Sequence, residues 1–114
     1  MTYKAFDVVV VPFPFTDRAA SKRRPALVLS NADAFGAKVA QSVLAMITSA
    51  AHSDWPLDAA ITDLKSAGLP SPSIVRMKLF TLDHQLILRK AGSLGAKDRD
   101  AVAHSVRRLL KPVL

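Results

Sequence analysis

The sequence predicts a mainly β fold with helices (β+α): a small curled barrel of short antiparallel strands with a C-terminal helix packed on it. Three observations predict it. Short apolar runs, several of them β-branched and bounded by proline, glycine or polar turns, recur from residue 7 to residue 90. The apolar spacing turns helical only near the end, where Val102, Val106, Leu109 and Leu110 fall at i, i+4, i+7 and i+8. The 114 residues are 50 % hydrophobic and 22 % charged, which suits one domain over residues 1–114 and excludes intrinsic disorder.

The elements follow in order. Residues 7–13, Asp-Val-Val-Val-Val-Pro-Phe, read as a buried strand stopped by prolines. A polar, basic connection then leads to a second strand over 24–30, whose Pro25 is tolerated because it stands at the start. Residues 31–38 suit one helical turn, with Asn31 or Asp33 as cap and Gly36 as terminator. Gln41 to Thr48 reads as a third strand, and residues 59–62 as a short, weak one. Gly68 to Ser73 is turn material with two prolines. Strands over 74–82 and 86–90 follow, joined through Asp83-His84-Gln85. Asp98 and Asp100 open the terminal helix and Arg107, Arg108 and Lys111 close it, matching the helix dipole at both ends.

Composition narrows the function. Sixteen Lys and Arg against nine Asp, with no Glu, give +7 at neutral pH. The excess is uneven: residues 1–57 carry net +2 and residues 58–114 net +5. A small domain this basic is expected to meet a polyanion, whether nucleic acid, an anionic membrane face or an acidic protein segment. Zero cysteines exclude disulfides, thiolate catalysis and sulfur-built zinc sites, and fit a cytoplasmic location. The longest apolar run, Val8 to Phe15, is too short to span a bilayer, and its prolines and Asp7 spoil it as a signal-peptide core.

Familiar catalytic constellations are missing. His52, His84 and His104 lack metal-ligand spacing and read as surface or packing residues; no metal or cofactor is expected. Neither a phosphate-cradling glycine loop nor a serine elbow is present. What remains is a basic, hydroxyl-bearing set at strand ends: Lys22-Arg23-Arg24 entering the second strand and Thr48-Ser49 leaving the third. Antiparallel pairing of those strands puts Arg24 and Thr48 near one sheet edge, a guanidinium beside a hydroxyl, suited to a phosphate's developing charge. On spacing alone, solvated loop charges and a plain strand end explain the same residues.

Six blocks change the balance: DVVVVPFPFTD (7–17), KRRPALVLS (22–30), MITSA (46–50), WPLDAAI (55–61), AGLPSPSIVRMKLFTLD (67–83) and LILRKAGSLGAKD (86–98). In this order and spacing they resemble the MazF/PemK family of type II toxin–antitoxin ribonucleases. The resemblance implies a small SH3-like barrel, a homodimer, metal-independent cutting of single-stranded RNA and an acidic antitoxin partner. It places the family's catalytic arginine at Arg24, directly before Pro25, and its catalytic threonine at Thr48. The implied reaction is attack of the RNA 2′-hydroxyl on the adjacent phosphate, leaving a 2′,3′-cyclic phosphate and a 5′-hydroxyl. An arginine is a poor general base, so Arg24 is expected to stabilise the phosphorane and Thr48 to donate a hydrogen bond to a non-bridging oxygen. Phe15, Asp17, Lys22, Arg23, Ser49, His52 and Arg76 are expected to line the RNA groove. Trp55 suits stacking on RNA or a place at a dimer or antitoxin surface.

The chain departs from the family pattern at three points. Phe6 stands where relatives often have glycine, and Gly95 where a helix-capping serine is common. Lys78 stands where some members carry an aspartate two places after the arginine matched by Arg76, so a carboxylate acid there is unavailable. Two other readings stay open: a non-enzymatic toxin of the same fold acting on a topoisomerase, and a nucleic-acid-binding barrel without catalysis.

Overall fold

The structure, a computed structural model, describes residues 2–12, 22–51 and 55–114. Among these residues six strands form one antiparallel sheet: β1 (Asp7–Pro12), β2 (Arg23–Val28), β3 (Gln41–Ser49), β4 (Ala59–Ala60), β5 (Ser73–Asp83) and β6 (Arg89–Ser93). Their spatial order is β4-β5-β3-β2-β1-β6, so β4 and β6 are the edges of an open half-barrel. Among the described residues three α-helices accompany it: α1 (Ala37–Val39), α2 (Leu64–Ala67) and the long α3 (Ala96–Leu109). The mainly β half-barrel with a terminal helix is the architecture the sequence predicts.

The four-valine run makes sense because the sheet is covered on both faces. Val8 packs with Leu27, Ala45, Ile47, Val75 and Val102, on the face where α3 lies. Val9 and Val11 point the other way, joining Ala26, Val28, Leu44 and Leu82 beneath Tyr3 and Ile87. Successive strand residues alternate between faces, so a strand buried on both sides loses its polar alternation. Each fully buried valine contributes about 2 kcal/mol.

The sheet curls where its registers break. Between β3 and β5 the pairing passes from Ala45↔Leu79 to Met46↔Arg76, leaving Met77 and Lys78 as extra residues on β5. Between β1 and β6 it passes from Val8↔Gly92 to Val9↔Lys90, leaving Ala91 extra. Such bulges bend a strand and increase its twist.

Four local expectations need correcting. Gly36 does not end the 31–38 turn: Asn31 caps it as expected, accepting from Ala34 N–H at 2.8 Å, but Gly36 lies inside and left-handed Ala40 (φ 55°) terminates it. The last strand begins at Arg89 rather than residue 86, because Asp83 accepts from Gln85 N–H at 2.8 Å and folds residues 84–86 into a 3₁₀ turn. Helix α2 was not foreseen; Asp63 caps it and Gly68 closes it at φ 73°. Leu109 and Leu110, placed on the buried stripe by their spacing, are 37 % exposed; they are the last residue of α3 and its C-cap.

Asp98 is more than a complement to the helix dipole. Only 2 % exposed, it accepts both Thr62 donors, the N–H at 3.0 Å and the hydroxyl at 2.7 Å, and Asp63 N–H at 2.9 Å. Burial alone would raise its pKa, but these hydrogen bonds with nearby Lys97 outweigh it and hold the carboxyl below the usual aspartate range. Asp100 is exposed, so the two carboxylates do not act as a pair. No helix among the described residues is long and apolar enough to cross a membrane.

Candidate nucleic-acid interface

The start of β2 sets the site. Exposure falls along Arg23–Val28 from exposed, through half-buried Arg24 and Pro25, to three buried residues. The strand thus emerges from the core with its cations at the rim. Its ladder with β3 runs Val28↔Leu44, Leu27↔Ala45, Ala26↔Met46 and then ends. Arg24 and Thr48 lie two residues beyond that last pair, one on each strand. Directly paired residues share a face and so do residues two apart, which puts Arg24, Met46 and Thr48 on one side of the sheet. Thr48 is 8 % exposed, a hydroxyl at the floor rather than on a ridge.

Arg76 joins them. Its register partner is Met46, so it belongs to the same face. Its guanidinium grips Asp58 in two-point fashion, Nη2 to Oδ2 at 2.9 Å and Nε to Oδ1 at 3.2 Å. Trp55 lies against it with the Arg76 guanidinium carbon 5.4 Å from the ring centroid, and Lys78 Nζ is at 5.4 Å from the same ring. Asp58 therefore fixes the arginine head while Trp55, 41 % exposed, offers a flat surface between two cations. Lys78 occupies the β5 bulge, so the position where some relatives place a carboxylate carries a cation on the tryptophan instead.

The other predicted residues separate. Lys22 is exposed just before β2. Arg23 and Ser49 each neighbour a site residue in sequence and therefore face away from it; Ser49 Oγ accepts from Ala51 N–H at 3.2 Å. Phe15, Asp17 and His52 lie outside the described residues. His84 is the packing histidine its isolation suggested, hydrogen-bonded to Ser42 Oγ at 2.7 Å and edge-on to Tyr3. Among the described residues, no three His, Cys, Asp or Glu side chains gather as metal ligands. Asp58 was missed by the residue-level reading. Its signal was faint: one aspartate in a loop, eighteen residues from the arginine it holds.

Phe6 explains a departure from the family pattern. It enters β1 at φ 75°, backbone space that favours glycine. It is held there by Phe6 N–H on Val28 O at 2.7 Å and by Arg99 over its ring at 5.4 Å.

The half-barrel with its terminal helix thus carries a guanidinium and a hydroxyl on one face at the β2–β3 end. The profile of the family described as PemK-like, MazF-like toxin of type II toxin–antitoxin system matches residues 4–110, and the chain belongs to that family. Solved structures share the fold. A MazE–MazF complex from Deinococcus radiodurans gives TM-score 0.73 at 20 % identity, covering 97 % of each chain. The Mycobacterium tuberculosis toxin MazF-mt6 gives 0.70 at 19 % identity, covering 90 % of this chain and 93 % of that one. An endoribonuclease in complex with its cognate antitoxin, from a mycobacterial species, gives 0.71 at 15 % identity, covering 93 % and 92 %. No curated protein sequence matches.

Proposed function

We propose that this toxin is an endoribonuclease that cuts single-stranded RNA without a metal ion, works as a homodimer and is restrained by an acidic antitoxin. The observation that carries the reading is the shared face of Arg24, Thr48 and Arg76 at the β2–β3 end. The relatives described as an endoribonuclease and as MazE–MazF complexes support it. The cytoplasm, where mRNA and a disordered acidic partner are both available, is its place of action.

The step balances as follows. The O2′–P bond forms as the P–O5′ bond breaks, giving a 2′,3′-cyclic phosphate and a 5′-hydroxyl. The 2′-hydroxyl proton is lost and the departing O5′ gains one. Extra negative charge gathers on the non-bridging oxygens in between. Arg24 faces that charge, its fixed cation needing no proton transfer, and Thr48 donates its hydroxyl hydrogen to one of those oxygens. Arg76, already neutralised by Asp58, positions the strand rather than driving the chemistry, with Trp55 beside it and Lys22 at the start of β2. DNA lacks the nucleophile.

Purified protein with EDTA and a mixed-sequence RNA tests the reading. Discrete fragments with 5′-hydroxyl ends are expected, and intact RNA would leave a binding barrel without catalysis. Replacing the nucleotide 5′ of the scissile phosphate by its 2′-deoxy form must stop cutting. Continued cutting would exclude 2′-hydroxyl attack.

A further inference from the structure

The residues just ahead of β4 form one tight turn. Asp58 N–H donates to Trp55 O at 3.3 Å, with Pro56 second and Leu57 third at φ 68°. Proline in the second place and positive φ in the third mark a type II turn, whose third residue is ordinarily glycine or asparagine. A leucine there is strained, and such strain persists only where the surroundings hold it. Leu57 is held because its side chain packs against the core cluster that contains Ala59, Ile61 and Val75.

The strained turn brings its two ends to one place. Asp58 grips the Arg76 guanidinium at 2.9 and 3.2 Å, and the Trp55 ring meets the same guanidinium, its centroid 5.4 Å from the central carbon. Lys78 Nζ stands at 5.4 Å from that centroid, exposed and without an ion-pair partner among the described residues. Trp55 nonetheless keeps 41 % of its surface in water. An apolar partner laid on it would strip water from the neighbouring ammonium. A nucleotide suits both groups at once, since it brings a base for the ring and a phosphate for Lys78. The ring also has a place relative to the cut. Thr48 pairs with Ile74 and Met46 with Arg76, so the Arg76–Trp55 pair stands two residues, about 7 Å, along β5 from the partner of Thr48. The base within its reach belongs to a nucleotide beside the scissile phosphate.

We infer that Trp55 is a specificity-determining residue: it stacks on a base next to the cut and prefers a purine there. The inference rests on the ribonuclease reading above and adds a base preference to it. A purine covers more of an indole than a pyrimidine does, and stacking strength sets modest preferences of this kind. Two cations near the ring draw on its π electrons, which favours the more electron-rich base. Asp58 is the positioning residue, because it fixes the guanidinium against which the ring is set.

The chain has one tryptophan, so its fluorescence reports on this ring alone. The test titrates the full chain with the pentanucleotides UUAUU, UUGUU and UUUUU and with one whose central base is missing. Every ribose carries a 2′-O-methyl group, so none can be cut. Both purine pentamers are expected to quench the emission and to bind about threefold or more tighter than UUUUU, and the abasic one to bind no better than UUUUU. Lys78→Gln and Asp58→Asn are each expected to bring the purine-to-uridine ratio toward one. When a random RNA pool is cut and the new 5′ ends are sequenced, one position next to the cut should be enriched in purine by about threefold. Trp55→Leu should lose that enrichment and leave the other positions as they were, while Trp55→Phe, which keeps a ring, should retain most of it. Equal binding of UUUUU and the purine pentamers overturns the inference, and so does an unchanged base profile in Trp55→Leu. Cutting by Trp55→Leu that falls evenly across sequences would make the ring a structural residue only and overturns it too. Emission that shifts on dilution of the protein alone and ignores every pentamer would make the ring a contact between copies, with the same consequence. Quenching by the purine pentamers in a protein that cuts no RNA would sink the ribonuclease reading and leave the stacking residue standing.

Discussion

At residue scale, alternation along two strands decides which of several similar side chains can act. Arg23 and Arg24 are both arginines at one strand start, and Thr48 and Ser49 both hydroxyls at one strand end. Only Arg24 and Thr48 share a face with Arg76 through the Ala26↔Met46 and Met46↔Arg76 registers. Arg24→Ala and Thr48→Val are therefore each expected to lower RNA cutting by roughly 10²–10³-fold, the loss typical of removing one donor aimed at developing charge. Their melting temperatures should hold, because Arg24 is only half-buried and valine matches threonine in shape. Arg24→Lys should recover little, since an ammonium cannot present two parallel donors to a phosphate. Ser49→Ala should be almost silent. Single-turnover cutting with the melting curve alongside measures all four. A strong Ser49 effect with a weak Thr48 effect would mean the strand end is turned over relative to its register.

Elements are held together by a few polar contacts that span large sequence distances. Asp98 on α3 receives both Thr62 donors and Asp63 N–H, tying the helix start to the turn before α2. Asp98→Ala leaves three donors without their acceptor and is expected to cost about 3 kcal/mol, read as a fall in melting temperature of roughly 10 °C or more. The sign of its pH dependence follows from the depressed pKa. Stability from this carboxylate is fully present above the ordinary aspartate value of 3.8 and is lost as pH falls through the lower folded value. The gap between the unaltered protein and Asp98→Asn should thus close in acid and open toward neutrality. Packing gives a second test: a Cβ on Gly92 would lie 2.3 Å from Ser66 O, so Gly92→Ala must push α2 off β6 at about 1–3 kcal/mol. Both contacts show where sequence reading stops. The valine run, the proline-bounded strand starts and the helical stripe through Val102 were legible because burial writes a local period. Local caps such as Asn31 were legible too, and the D-L-K-S-A-G segment of α2 carried the same kind of signal, overlooked beside two prolines. Arg24 and Thr48 were singled out from the blocks they sit in, and the strand registers put them on one face. The Asp58 clamp on Arg76 and the Thr62–Asp98 tie were not, because each joins residues through registers and bulges that no single segment encodes.

For the molecule as a whole, the +7 charge ties the proposed RNA capture and the proposed inhibition by an acidic partner to one physical variable. Single-stranded RNA binds largely by releasing counterions, with a log–log salt slope of roughly −0.7 per phosphate neutralised. If Lys22, Arg24 and one further cation each meet a phosphate, the slope is about −2, and a fourfold rise in salt weakens binding by about twentyfold. Lys22→Ala removes one contact at an exposed position, so its slope should become shallower by about 0.7 while its Arg24–Thr48 chemistry is untouched. Arg89→Glu changes net charge by two but sits on the opposite face, so it should shift RNA affinity modestly at low salt and leave the slope near that of the unaltered protein. Filter binding of a short oligoribonucleotide between about 50 and 200 mM salt separates these cases. Equal slopes for the unaltered protein and Lys22→Ala would remove Lys22 from the contact set. A slope changed as much by Arg89→Glu as by Lys22→Ala would mean that the RNA path crosses both faces of β2.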